Sequence, residues 1–304
     1  MSVLAGVGVT GREGAVRRPM ESRDTNQVGH EPLLTQVLTG YLPLVAATLI
    51  IALPLVWMLL GSLKQSSEVI SQAIVWLPQR PTLDAYVQAS DQVDFPRLFL
   101  NSALVTVVGA SIKVFLAITT AYALVFVKFP FKRGIFLAIL VALMVPSQVS
   151  LLPNYVLIAG LGGINTYWGI IVPGLGTAFG TFLLRQHFLS LPKEILEAAE
   201  IDGASHLRRL FQIVGPISTP TIATVALVTI VNEWNDYIWP LIITSDDRFM
   251  TLPVGLTLLR NIESDPRSYP IVMAGAVVVI LPVLIVFTFL QRYIVAGLTA
   301  GAVK

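Results

Sequence analysis

The run Asn232-Glu233-Trp234-Asn235-Asp236-Tyr237-Ile238-Trp239-Pro240 sets two amides, two carboxylates and three aromatic rings inside an otherwise apolar stretch. Read as a helix, it puts Asn232, Asn235 and Asp236 on one face at spacings of three and four, with Glu233 and Tyr237 on a neighbouring face. Amides, carboxylates and aromatic rings are the groups that hydrogen-bond sugar hydroxyls and stack on sugar rings. A charge at the centre of a bilayer costs at least about 2.5 kcal/mol, so it normally faces a cavity or a partner. Asn232, Asn235, Asp236 and Tyr237 are therefore expected to line a solute pathway. The competing reading is that they bond to neighbouring helices. Lys113 is another charge inside an apolar run, and the sequence assigns it no role.

A second polar stretch, residues 193–216, lies between long apolar runs. A helical pattern runs from Lys193 through Ala199, pauses at Asp202-Gly203 and resumes to Ile213. Pro216 and Pro220 then stop it, because proline lacks the N–H and clashes with the preceding turn. Ala198, Ala199, Gly203 and Ala204 are small, and small side chains let another surface come close to the backbone. Covalent chemistry has no support. There is no cysteine, and His30, His187 and His206 are scattered. No Gly-x-x-x-x-Gly-Lys-Ser/Thr loop, His-Glu-x-x-His pair or Gly-x-Ser-x-Gly elbow occurs. Nothing calls for a metal or a cofactor, and the chain is not expected to be an enzyme.

The elements that carry these stretches belong in a membrane. The chain has 304 residues, 55% of them hydrophobic and 12% charged, against roughly 25% charged in soluble domains. A net charge of +2 with scattered basic residues argues against nucleic acid as a partner. A spanning helix needs about 20 mainly apolar residues. Six such runs are expected, at about 41–63, 98–127, 134–159, 167–188, 218–244 and 270–293, with Pro54, Pro146, Pro153, Pro173 and Pro282 as kinks. Residues 1–40 read as a polar, disordered tail without a cleavable signal, and 41–304 as one all-α six-helix membrane domain.

Orientation follows the basic residues. Arg12, Arg17, Arg18, Arg23, Lys128, Lys132, Arg133, Arg185, Lys193, Arg208, Arg209, Arg292 and Lys304 fall on one side. Lys64, Arg80, Arg97, Arg248, Arg260 and Arg267 fall on the other. The richer side is the cytoplasm, which puts both termini and the 193–216 loop inside. The outer segments 64–97 and 245–270 are long. The first carries a turn and a short amphipathic helix near Asp84. The second carries Thr251-Leu-Pro-Val-Gly-Leu256 and a charged turn, Glu263 to Arg267.

Glu197-Ala198-Ala199, Asp202-Gly203-Ala204, Phe211, Ile213 and Gly215-Pro216 resemble, in order, the "EAA" loop of the membrane subunits of ABC importers. The departure is Gly215, where leucine is usual. Trp234-Asn-Asp-Tyr-Ile-Trp-Pro-Leu241, Thr251 to Leu256 and the end Gln291 to Lys304 resemble the sugar-uptake branch, and there the maltose-type second permease. The resemblance implies a type I importer permease, multi-pass in the inner (plasma) membrane. It also implies a second permease, two ATPase subunits and an extracytoplasmic solute-binding protein. Under it, Glu197, Ala198, Ala199, Asp202, Gly203, Phe211 and Pro216 couple to the ATPase, with Gly203 permitting the bend. Leu252, Pro253 and Gly255 belong to a loop that reaches the binding protein. The rival expectation is a stand-alone carrier driven by an ion gradient, using Lys113, Glu233 and Asp236.

Overall fold

The computed structural model describes residues 37–69, 75–260 and 268–299. The tail 1–36 and the Glu263–Arg267 turn lie outside them. The chain divides after Leu53. The first part contributes a π-helical turn, Val37–Tyr41, and the opening turns of α1 (Leu42–Ser62), with almost every side chain exposed.

The second part holds the rest of α1, the short helix Ser66–Val69 and the following main helices. They are α2 (Asp84–Gln92), α3 (Phe95–Phe126), α4 (Lys132–Met144), α5 (Leu151–Gly160), α6 (Tyr167–Ile171) and α7 (Ala178–Leu189). Then come α8 (Lys193–Ile201), α9 (His206–Arg209), α10 (Thr219–Trp234), α11 (Ile238–Ile243), α12 (Leu252–Arg260) and α13 (Tyr269–Thr299). Among the described residues there is no strand.

Among the described residues, three helices are long and apolar enough to cross a membrane: Val37–Ser62, Phe95–Phe126 and Tyr269–Phe289. Three further helix pairs are apolar enough together but bent, each a broken span or a re-entrant loop. Lys132–Met144 and Ser147–Gly160 meet at 92°, Tyr167–Gly174 and Ala178–Leu189 at 46°, and His206–Ile217 and Thr219–Ile243 at 85°. Each of these three breaks has a local cause. Pro146 and Pro173 cannot donate to the ladder of the preceding turn, and Ser218 sits between Pro216 and Pro220. The expected stop at Pro216 is thus one residue early, because Gly215–Ile217 is still helical. Pro54 and Pro282 stay inside helices.

α3 is the axis of this part. Asp94 caps it by accepting from the Arg97 N–H at 3.2 Å, and Pro96 occupies the first turn, where no partner for its nitrogen is needed. Its 32 residues make about 48 Å of helix, longer than a hydrocarbon core of about 30 Å. α7 and α10 pack along it. They approach closely because Gly180 lacks a side chain. A Cβ there would lie 3.0 Å from Val225 Cγ1 and 3.1 Å from Ala117 Cβ. Ala117, Ala121, Leu184, Phe188, Leu210, Val214 and Val225 fill this end of the core. Leu98, Trp234, Leu252, Leu259 and Ile271 fill the other.

Candidate functional site

At the 193–216 loop, α8 ends as the sequence predicts. Gly203 adopts φ +71°, the left-handed region that glycine enters without strain. Its N–H donates to the Glu200 carbonyl at 3.1 Å, and the Ala204 N–H donates to that of Ala199 at 3.0 Å. This pair of bonds closes the helix and turns the chain sharply into α9, which Ser205 caps through the Arg208 N–H. The loop is then tied back to the core. Tyr122 Oη on α3 lies 3.3 Å from His206 Nδ1, and within the loop Arg209 Nη1 lies 3.5 Å from Glu200 Oε2. A cavity of about 300 Å³ remains beneath α8, bordered by Tyr122, Phe126, Phe188, Leu196, Glu197 and Arg209.

The faces of α8 separate two groups of predicted residues. Glu197, Ala198, Asp202 and Gly203 are exposed, as are Phe211 and Pro216 beyond them. Ala199 is buried instead. It lets α8 sit on the protein's own core rather than opening the surface to a partner. The sequence reading also missed the apolar part of the outer face, where Ile201 is 86% and Leu207 68% exposed. Large aliphatic side chains on a short polar helix were the available signal.

The second site differs more from expectation. α10 does not continue through the polar run. It ends at Trp234; Asn235, Asp236 and Tyr237 leave the helix, and α11 starts at Ile238. The single-face argument for Asn232, Asn235 and Asp236 fails for that reason. The break is held by the tryptophans on either side. Buried Trp234 donates its ring N–H to the Val279 carbonyl of α13 at 3.1 Å. Buried Trp239 donates to the carbonyls of Gly169 and Ile170 in α6, each at 3.1 Å. These N–H groups serve packing rather than a solute.

The freed residues face a cleft of about 470 Å³ together with Ser147, Gln148, Leu151, Ile238 and Trp239. Asn232 is exposed one turn earlier, outside it. Ser147 and Gln148 went unnoticed in the sequence, although they follow Pro146 at another break. Glu233 does not line this cleft and forms an ion pair with Lys113, Oε1 accepting from Nζ.

The segment after α11 is sewn to the helix ends. Asn165, at φ 56°, accepts through Oδ1 from the N–H groups of Ser245 at 2.7 Å and Asp246 at 3.0 Å. Asn101 donates to the Arg248 and Met250 carbonyls at 3.0 and 2.8 Å, and itself accepts from Tyr167 Oη at 2.8 Å. The Leu252 N–H donates to Ser102 Oγ at 2.7 Å. On the surface, Arg248 grips Asp246 through side chain and backbone and holds its carboxyl down at about 2. The expected apolar turn at Thr251–Leu256 is instead the start of α12. Leu252 is fully buried and Pro253 half-buried. Gly255 is pressed so tightly onto α3 that a Cβ would lie 2.0 Å from Leu98 Cδ1. Residues 252–260 form a packed helix, because their apolar side chains have a core to enter.

Comparison with known proteins agrees with these features. The family described as "Binding-protein-dependent transport system inner membrane component" matches residues 113–300. The chain is 33% identical over 276 residues to the arabinooligosaccharides transport system permease protein AraQ of Halalkalibacterium halodurans, covering 90% of this chain and 98% of that one. It is 34% identical over 268 residues to the sn-glycerol-3-phosphate transport system permease protein UgpE of Brucella suis, covering 86% and 95%. The fold is similar to a chain of a bacterial ABC transporter involved in the import of the acidic polysaccharide alginate. There the TM-score is 0.76 at 22% identity, covering 87% of this chain and 99% of that one. These relatives offer no support for an ion-coupled carrier. A broken apolar span with a polar cleft, an exposed helix–glycine–helix loop and this match over more than half its length place the chain in the family of binding-protein-dependent transport system inner membrane components.

Proposed function

We propose that the chain is one of two different permease subunits of an ABC importer for a sugar or sugar-like solute. The observation that carries this reading is the Lys193–Pro216 loop. It presents Glu197, Ala198, Asp202, Gly203, Ile201 and Phe211 outward while Ala199 is buried and Tyr122 on α3 meets His206. A short rigid helix on such a base moves as a body and carries motion to the helix it rests on. Two separate ATPase subunits would grip the outward face, with Glu197 meeting a basic residue.

The six spans cross the plasma membrane with both termini and this loop in the cytoplasm, as the distribution of Lys and Arg favours. Residues 1–40 form a cytoplasmic tail and 41–304 the permease domain. The cleft at Asn235, Asp236 and Tyr237 is part of the solute pathway, with Asn232 at its margin. The segment from Ser245 onward meets an extracytoplasmic solute-binding protein through exposed Asp247 and Arg248, while Leu252, Pro253 and Gly255 fix its shape from beneath.

Expression of the chain with its candidate partner permease and ATPase tests this reading. The expected result is a stable complex whose ATP hydrolysis rises when a loaded solute-binding protein is added. Solute uptake that follows a proton or sodium gradient without nucleotide would overturn it.

A further inference from the structure

Resting on the solute-pathway reading above, we propose that the cleft at the α10–α11 break selects uncharged, hydroxyl-rich solutes and rejects anionic ones. Its lining is rich in acceptors. Asn235 donates its amide Nδ2 to the Val231 carbonyl at 2.8 Å, which leaves the amide oxygen to other partners. Asp236 adds a carboxylate, and Gln148, Ser147 and Tyr237 add an amide and two hydroxyls. Trp239 contributes ring surface, its N–H being committed to α6. Sugar hydroxyls are donors, and bonds from them to a carboxylate are about twice as strong as neutral ones.

No lysine, arginine or histidine lines the cleft. Lys113 is the cation that could have changed this, and it is occupied. Its Nζ donates to Glu233 Oε1, with the two side chains only 14% and 13% exposed. The two charged groups lie against glycines. A Cβ on Gly109 would come 2.6 Å from Glu233 Oε2, and one on Gly174 would come 3.3 Å from Lys113 Nζ. The pair beside these two glycines has a net charge of zero, and Asp236 is the one charged side chain in the lining of the cleft. Other basic groups of the spans are engaged elsewhere. Lys132 donates to the Val125 and Val127 carbonyls, and the Arg185 guanidinium lies 3.8 Å over the Phe136 ring. An anion entering the cleft would meet the Asp236 carboxylate with no cation in the lining, whereas a neutral oligosaccharide or polyol meets hydrogen-bonding groups without repulsion.

The test uses the assembled permease–ATPase complex in nanodiscs. Binding is measured for neutral oligosaccharides, for their uronate counterparts, for glycerol 3-phosphate and for a cationic amino-sugar oligomer. A neutral probe should bind, and its uronate counterpart at least tenfold more weakly. Asp236→Asn, which keeps the shape, should narrow that gap at least fivefold, and Asp236→Lys should reverse it. The double variant Lys113→Gln with Glu233→Gln should leave the ratio unchanged, because the pair is already neutral. Uronate bound within threefold of its neutral partner by the unaltered complex would overturn the charge selection while leaving the pathway intact. So would a cationic amino-sugar oligomer bound more weakly than the uronate, because Asp236 repels anions and attracts cations. Binding of no probe by any form, in a complex that still hydrolyses ATP, would remove the pathway reading and the selection with it.

Discussion

Asn235 and Trp239 sit four residues apart in one motif yet do different work. Asn235 is exposed at the cleft, whereas Trp239 is buried with its N–H shared between two carbonyls. Asn235→Leu should therefore reduce solute uptake at least tenfold while the complex still elutes as one assembled species. Loss of assembly instead would make Asn235 a packing residue. The Lys113–Glu233 pair supports a second expectation. Lys113→Met leaves the Glu233 carboxylate largely buried without a counter-charge, which costs roughly 3–5 kcal/mol. The thermal midpoint of the purified complex should fall by several degrees and largely recover when Glu233→Met is added. A single variant as stable as the parent would show that water already solvates the carboxylate.

Among the elements, α8 depends on one backbone angle. Gly203 has nothing within 4 Å of the place a Cβ would occupy, so substitution there strains the chain without a clash. A β-branched residue in the left-handed region costs about 1–2 kcal/mol, and Asn costs less. Gly203→Val should lower the amount of ATPase that copurifies by severalfold, with Gly203→Asn close to the parent and membrane insertion normal in both. Equal copurification in all three would exclude the loop as the docking element. At the other end, Asn165 fastens the Ser245–Met250 segment by accepting two backbone bonds. Each such bond is worth about 1 kcal/mol. Asn165→Ala should loosen the segment, seen as faster amide hydrogen exchange at Ser245 and Asp246, and should weaken solute-binding-protein docking about tenfold. Unchanged exchange would show that Asn101 and Ser102 hold it alone.

For the molecule as a whole, the absence of cysteine makes the proposed topology directly measurable. Single cysteines at Leu207 and at Asp247, both exposed, should be labelled by a membrane-impermeant maleimide from opposite faces of the membrane. Labelling of both from one face would refute an odd number of crossings between them. The same experiment tests whether the pair meeting at 92°, Lys132–Met144 with Ser147–Gly160, is one crossing or a re-entrant loop. A cysteine at exposed Leu161 should react from the face that labels Asp247 if the pair crosses.

The sequence by itself determined the all-helical membrane class, because a low charge content and six long apolar runs leave few other solutions. It also determined the form of the 193–216 loop. A glycine between two short amphipathic patterns, with prolines beyond, specifies helix–bend–helix through local backbone energetics alone. Tertiary structure decided the rest. Whether Asn232 to Tyr237 continued as helix depended on carbonyls of Val279, Gly169 and Ile170, more than forty residues away, that receive the two tryptophan N–H groups. Whether Thr251 to Leu256 projected or packed depended on Leu98 and Ser102 waiting on α3. Whether Lys113 was free or neutralised depended on Glu233, brought to it by the α3–α10 packing beside Gly109 and Gly174. Local propensity covers a few turns of chain; the partners that settle these questions are made neighbours only by the fold.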